Sequence, residues 1–123
     1  MAGTFLKAQG FDIGNSMVED DKLQLATTLM RKASRNGIKL IIPKDVVVAK
    51  FFDPDAERLT VDIDEIPSEW YIMDIGHKTL DMFKSEVSTA KTILWNGPMG
   101  VFEFKHFSKG TVELAATLGS LKG

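Results

Sequence analysis

Apolar positions recur along this chain with helical spacing in some stretches and as short continuous runs in others. Leu23, Ala26, Met30 and Ala33 would line one helix face, with Leu25 and Leu29 widening it. Ser16-Met17-Val18-Glu19 precedes that face with capping-box spacing, and Glu19, Asp20 and Asp21 fall where a helix dipole favours negative charge. Arg31, Lys32 and Arg35 suit the last turns and Gly37 the stop, so one helix is predicted to open at Ser16 and close at Gly37. Helical spacing returns from Gly76 at Leu80, Phe83, Val87 and Ala90. Shorter helices are expected over Met1–Ala8, ended by Gly10, and through Leu114, Ala115 and Leu118 with Thr111 as the cap. Phe104 and Phe107 suggest a helical turn broken at Gly110.

The continuous runs read as strands. Ile38–Ile42 is bounded by Gly37 and Pro43, and Val46–Ala49, Leu59–Ile63 and Lys91–Trp95 have similar character. The turn at Asp53-Pro54-Asp55 lets the middle two pair as a small β-hairpin, and Ile66-Pro67-Ser68-Glu69 is a loop leading to Trp70. Helices alternating with short apolar strands predict an α/β fold, a partial Rossmann-like domain whose sheet is mostly parallel and flanked by helices. Neither repeat nor linker divides the chain, so residues 1–123 are read as a single incomplete domain. Gly119–Gly123 resembles the close of a helix, Met1 has no cap before it, and both ends look cut.

Composition narrows the function classes. Hydrophobic residues make up 44% and charged residues 26%, the balance of a soluble globular chain. A net charge of −2 argues against a nucleic-acid or anionic-membrane surface, though backbone N–H groups can hold one nucleotide without net charge. With no cysteine there is no disulfide framework and no thiolate metal site, and cytoplasm is the expected location. Neither a signal peptide nor an apolar run of about 18 residues is present.

The chemistry concentrates in Trp95-Asn96-Gly97-Pro98-Met99-Gly100-Val101-Phe102-Glu103. An apolar run, a glycine- and proline-rich turn and then a carboxylate have the order in which open α/β sheets build ligand sites. Taken alone, Asn96 makes a turn with Gly97, and Glu103 is equally a first-turn acid favoured by a helix dipole. His77 and His106 have no convergent Asp, Glu or His spacing around them, so no metal site is read from them. Lys7 and Lys109 are read as ordinary exposed lysines.

This stretch, with Phe107 and Lys109-Gly110-Thr111 after it, resembles the signature loop of phosphoglycerate kinases. Thr4–Ala8, Ile13-Gly14, the helix from Glu19, Asp45–Ala49, Asp64–Pro67 and Asp74-Ile75-Gly76 resemble the same family in the same order. The resemblance implies the central part of a C-terminal, nucleotide-binding domain in a kinase that moves a phosphoryl group between 1,3-bisphosphoglycerate and ADP, giving 3-phosphoglycerate and ATP in glycolysis. It implies ADP or ATP with Mg2+ as ligands, the metal-linked aspartate lying outside this chain. Phosphoglycerate would be met only through an N-terminal domain that is not in this sequence, and no nucleic acid or membrane partner is implied.

By the same resemblance Glu103 accepts hydrogen bonds from the ribose hydroxyls and Asn96 lies near the phosphates. Pro98 and Val101 face the nucleotide, while Met17, Phe52 and Met73 line the adenine pocket. Ile72 departs from the smaller residue usual beside the adenine, and His77 stands where proline is usual. No catalytic residue and no metal ligand is carried over. The chain alone is expected to be inactive, the alternatives being a non-catalytic folding unit, a weak nucleotide-binding module or an unrelated α/β interaction protein. Uncovered sheet edges would also favour self-association.

Overall fold

Asp45–Ala49 forms β1, the centre of a computed structural model that describes residues 1–121. Its consecutive valines suit a pleated strand packed on both faces. β2, Arg58–Asp62, pairs with one edge and β3, Tyr71–Ile75, with the other, giving the order β2-β1-β3. Both pairings are antiparallel, with Val47 opposite Thr60 and Val46 opposite Ile75, and the β1–β3 register shifts at Val47/Val48. Four helices complete the fold: α1, Ala2–Ala8; α2, Leu23–Arg35; α3, His77–Thr89; and α4, Lys109–Ser120. Short 3-10 turns cover Asp20–Lys22 and Lys105–Phe107.

Alternation along the strands divides the core into layers. Val46 and Val48 point toward Leu6 of α1 and toward Ile13, Ile66 and Trp70. Val47, Ala49 and Met73 point the other way, onto Phe107 and Phe104. Past the register shift, Ile75 packs in a third cluster with Leu80 of α3 and Leu114 of α4. The period of two thus sends neighbouring residues of one strand into two separate packings.

The α/β class holds, but the described sheet is antiparallel where a mostly parallel one was expected. A parallel pair needs a crossover of a dozen or more residues, usually a helix. Residues 63–70 instead carry the chain from β2 to the opposite edge of β1, where β3 runs in the same direction as β2 and so antiparallel to β1. Ile38–Ile42 and Lys91–Trp95 form no strand. Their side chains at Ile38, Leu40, Ile93 and Leu94 are exposed, Leu94 at 93%. β3 itself was not anticipated, because Tyr71-Ile72-Met73 is short and follows a loop-like stretch. The hairpin of β1 and β2 forms as expected.

The expected capping box is also absent. The Ser16 hydroxyl accepts the Ile72 N–H at 2.8 Å, and the Glu19 N–H donates to the Thr4 hydroxyl at 3.2 Å. With both groups engaged by distant partners, α2 starts at Leu23 after a 3-10 turn. Gly37 ends it at φ +65°, the left-handed conformation that favours glycine. Thr111 does not cap α4. Its hydroxyl accepts the Met99 N–H at 3.0 Å, and α4 begins two residues earlier, with Gly110 inside it. Lys122 and Gly123 lie outside the described residues.

Asp45 ties the sheet to α3. It is buried, and its carboxylate accepts the Lys78 N–H at 3.0 Å, the Thr79 N–H at 2.8 Å and the Thr79 hydroxyl at 2.7 Å. It therefore satisfies donors at a helix start from 33 and 34 residues away. Burial alone would push this carboxyl upward. The Thr79 hydroxyl, the two backbone N–H groups and nearby His77 outweigh it and hold the group below its ordinary value.

Three outcomes are expected. Phe107→Ala removes a fully buried ring beneath β1 and β3, and should cost about 3–5 kcal/mol in urea unfolding. Asp45→Asn should cost about 1–3 kcal/mol at pH 7, because an amide cannot accept all three bonds. Because the folded value is lowered, the contribution of Asp45 is present above the ordinary carboxylate value of about 3.9 and is lost as pH falls through the folded value. An acid titration of stability should accordingly be shallower below about pH 4 in Asp45→Asn than in the unsubstituted chain.

Candidate functional site

An edge strand must satisfy its outward N–H and C=O groups. On β3 two loops do so. The segment after α1 supplies the Ser16 hydroxyl to the Ile72 N–H, and the Asn15 N–H donates to the Trp70 carbonyl at 2.9 Å. From the glycine-rich loop the Val101 N–H donates to the Met73 carbonyl at 2.9 Å. The two loops stand over one strand edge, and a cavity of about 470 Å3 lies among them.

Its walls join residues distant in sequence. Gly3 and Met17 come from the N-terminal side, Ile72 and Met73 from β3, Phe52 from the hairpin and Val101 from the glycine-rich loop. Most of this lining is apolar, with few polar groups, the character of pockets that hold flat organic ligands. Phe52 is held by its neighbours, its ring edge-on to Tyr71 with centroids 6.3 Å apart and tilted against Phe104 at 5.5 Å. Gly3 is required by close approach, since a Cβ there would lie 2.8 Å from the Met17 carbonyl oxygen.

Five of the eight site residues expected from the sequence therefore meet in one cavity: Met17, Phe52, Ile72, Met73 and Val101. They differ in exposure, Met73 at 1% being core and Met17 at 85% standing free at the rim. Asn96, Pro98 and Glu103 are exposed and do not line it. Gly97 turns the chain beside Asn96 at φ +99°, and its carbonyl accepts the Trp95 indole N–H. Glu103 does not occupy the first turn of a helix. It lies in a tight turn closed by the Phe104 N–H and the Val101 carbonyl at 2.9 Å, two residues along from the cavity wall.

Sequence reasoning missed Ser16, Tyr71 and Asp74. Ser16 carried a capping signal that concealed its bond to β3, and Tyr71 belongs to the unanticipated strand. Asp74 is the less expected of the three, a carboxyl 2% exposed with no cation paired to it among the described residues. Burial raises it above the ordinary carboxylate value, partly opposed by N–H groups of Gly110 and Ile75. Nothing but its place between β3 and the glycine-rich loop distinguishes it, and that place is tertiary.

Among the described residues no group of three or more His, Asp or Glu side chains is arranged to hold a metal ion. His77 faces Asp45 at 3.6 Å and His106 faces Asp55 at 3.7 Å, each a single partner. No helix among the described residues is long and apolar enough to cross a membrane.

Known proteins are similar to this chain in sequence and fold. The family model for phosphoglycerate kinase matches residues 1–123. A phosphoglycerate kinase of Chloroherpeton thalassium is 51% identical over 118 residues, which are 96% of this chain and 30% of that protein. The cytosolic phosphoglycerate kinase of Nicotiana tabacum is 50% identical over 123 residues, 100% of this chain and 31% of the relative. Among solved structures, phosphoglycerate kinase from Coxiella burnetii superposes with a TM-score of 0.96 at 39% identity, covering 99% of this chain and 32% of that one. That of Pyrococcus horikoshii OT3 gives a TM-score of 0.73 at 28% identity, covering 97% and 30%. The chain thus spans about a third of the length of the curated relatives it matches. Over all 123 residues, this chain belongs to the phosphoglycerate kinase family.

Proposed function

We propose that this chain supplies the base-binding wall of a nucleotide site, within an enzyme that transfers a phosphoryl group between 1,3-bisphosphoglycerate and ADP in the cytoplasm. The observation that carries the reading is the convergence of Met17, Phe52, Ile72, Met73 and Val101 on one apolar cavity at the edge of β3. A purine ring buries two flat faces, and side chains from opposite sides of a slot suit that shape. Ile72 narrows the slot relative to a smaller residue at the same place. Glu103 lies two residues along the chain from Val101 and Asn96 three before Met99, both of which line the cavity, and they are assigned to the ribose and the phosphates in turn. A carboxylate there is a fixed acceptor for two hydroxyl donors.

Phosphoryl transfer depends on holding both substrates and neutralising developing charge. An apolar wall holds one end of one substrate and does neither of these, so the chain by itself binds without turnover. The magnesium ion that accompanies the nucleotide in this family finds no ligand set among the described residues, and no step of the proposal runs through it.

Titration of the isolated chain with ADP, followed by amide shifts, should move Met73, Val101 and Phe52 and leave β2 unmoved. Shifts confined to other regions, or none up to millimolar ADP, would count against the reading. Met17→Ala should weaken ADP binding several-fold while leaving stability within about 0.5 kcal/mol, because Met17 is exposed and packs on little else. Glu103→Ala should weaken it about tenfold, near 1.4 kcal/mol, and an unchanged affinity would refute the ribose role. In a coupled assay with 1,3-bisphosphoglycerate and ADP the chain alone should show no turnover approaching the roughly 1–100 per second of ordinary kinases.

A further inference from the structure

Asp74 sits where the glycine-rich loop both leaves and returns to the sheet. One carboxyl oxygen accepts the Ile75 N–H at 2.8 Å and the other accepts the Gly110 N–H at 3.0 Å. A Cβ on Gly100 would lie 2.6 Å from the first oxygen, and one on Gly110 would lie 2.5 Å from it. Neither glycine has a positive φ, so both are required by close approach and not by backbone conformation: to this carboxyl and the Met73 carbonyl oxygen at Gly100, and to this carboxyl and the Ile75 side chain at Gly110. Between them run Val101, Glu103, Phe104 and Phe107. The next residue back on β3, Met73, receives the Val101 N–H.

We propose that Asp74 is a positioning residue for the nucleotide pocket, its carboxyl clasping both ends of the Gly100–Gly110 loop so that Val101 is held against β3 as the pocket wall. The inference rests on reading that cavity as the nucleotide site. The bond to Gly110 fixes the start of α4, and contact with Gly100 fixes the entry of the loop, so the intervening turn has little freedom. A buried carboxyl without a cation is costly to the fold. Of the two N–H bonds that offset this cost, one comes from Ile75 on the same strand and the other, from Gly110, reaches the far end of the loop. Asp45 is the natural contrast, since it is equally buried, also accepts backbone N–H groups, and touches α3 instead of the loop.

The test compares Asp74→Asn with Asp45→Asn in the full chain. The asparagine keeps the size but presents a donor to one of the two N–H groups that Asp74 accepts. Without ligand, exchange of the Val101 amide hydrogen, measured relative to that of Val48 in β1, should accelerate at least about tenfold in Asp74→Asn and stay constant in Asp45→Asn. ADP affinity should fall by a similar factor only in the first. If Val101 protection falls merely in step with Val48 in both variants, Asp74 is structural and the proposal is overturned. Gly110→Ala leaves the carboxyl and the Met73 carbonyl in place while forcing the start of α4 from Asp74, and should reproduce the selective Val101 exchange even where Asp74→Asn does not fold. The exchange measurement decides the positioning role without ligand, so failure of the unsubstituted chain to bind ADP counts against the nucleotide reading alone.

Discussion

The outer edge of β3 is the constraint from which the rest of the candidate site follows. A strand with one edge on β1 and the other open would leave N–H and C=O groups unpaired beside an apolar core. Here a serine hydroxyl, an asparagine N–H and a valine N–H meet that edge from two separate loops. Because loops and not a fourth strand cover it, the side chains flanking these bonds cannot close into a continuous layer. The space left between them is the cavity. Satisfying the backbone and opening a pocket are thus one structural solution, and Met17 and Val101 are in the site because their loops are held at this edge.

Two buried aspartates secure the flanks of the same sheet by opposite electrostatics. Asp45 receives enough N–H and O–H donors to favour its ionised form despite burial, and behaves as a remote cap for α3. Asp74 receives only two, so burial dominates and its neutral form is favoured relative to a free carboxyl. The first joins a central strand to a helix that follows β3. The second joins β3 to the loop and helix that carry the pocket wall. Between them the carboxyls tie α3 and α4 to the sheet, while Leu6 of α1 packs on Val46 and Val48.

The helices were largely legible from spacing. α1, α3 and α4 fall near their predicted places because an amphipathic period survives whatever it packs against. The start of α2 was not, since the Ser16 and Glu19 groups that look like a capping box are used elsewhere. Strands were legible only where a hairpin turn joined them, as in β1 and β2. Ile38–Ile42 and Lys91–Trp95 are as apolar as β1 and form no strand, because an apolar run becomes a strand only when a neighbour completes its backbone bonds. For the site, the family resemblance named the five residues that converge, but composition and spacing alone had left Met17, Phe52 and Met73 indistinguishable from core.

By itself the sequence determined the helical segments, the hairpin and the glycine-rich turn, because these depend on residues within a few positions of one another. It also carried the family, through blocks whose order along 123 residues needs no coordinates. Tertiary structure alone decided the antiparallel pairing of β3, the partner of Ser16, the meeting of five distant side chains and the place of Asp74. Each of those joins residues tens of positions apart, where hydrogen-bond satisfaction and burial, and not local preference, select the partner.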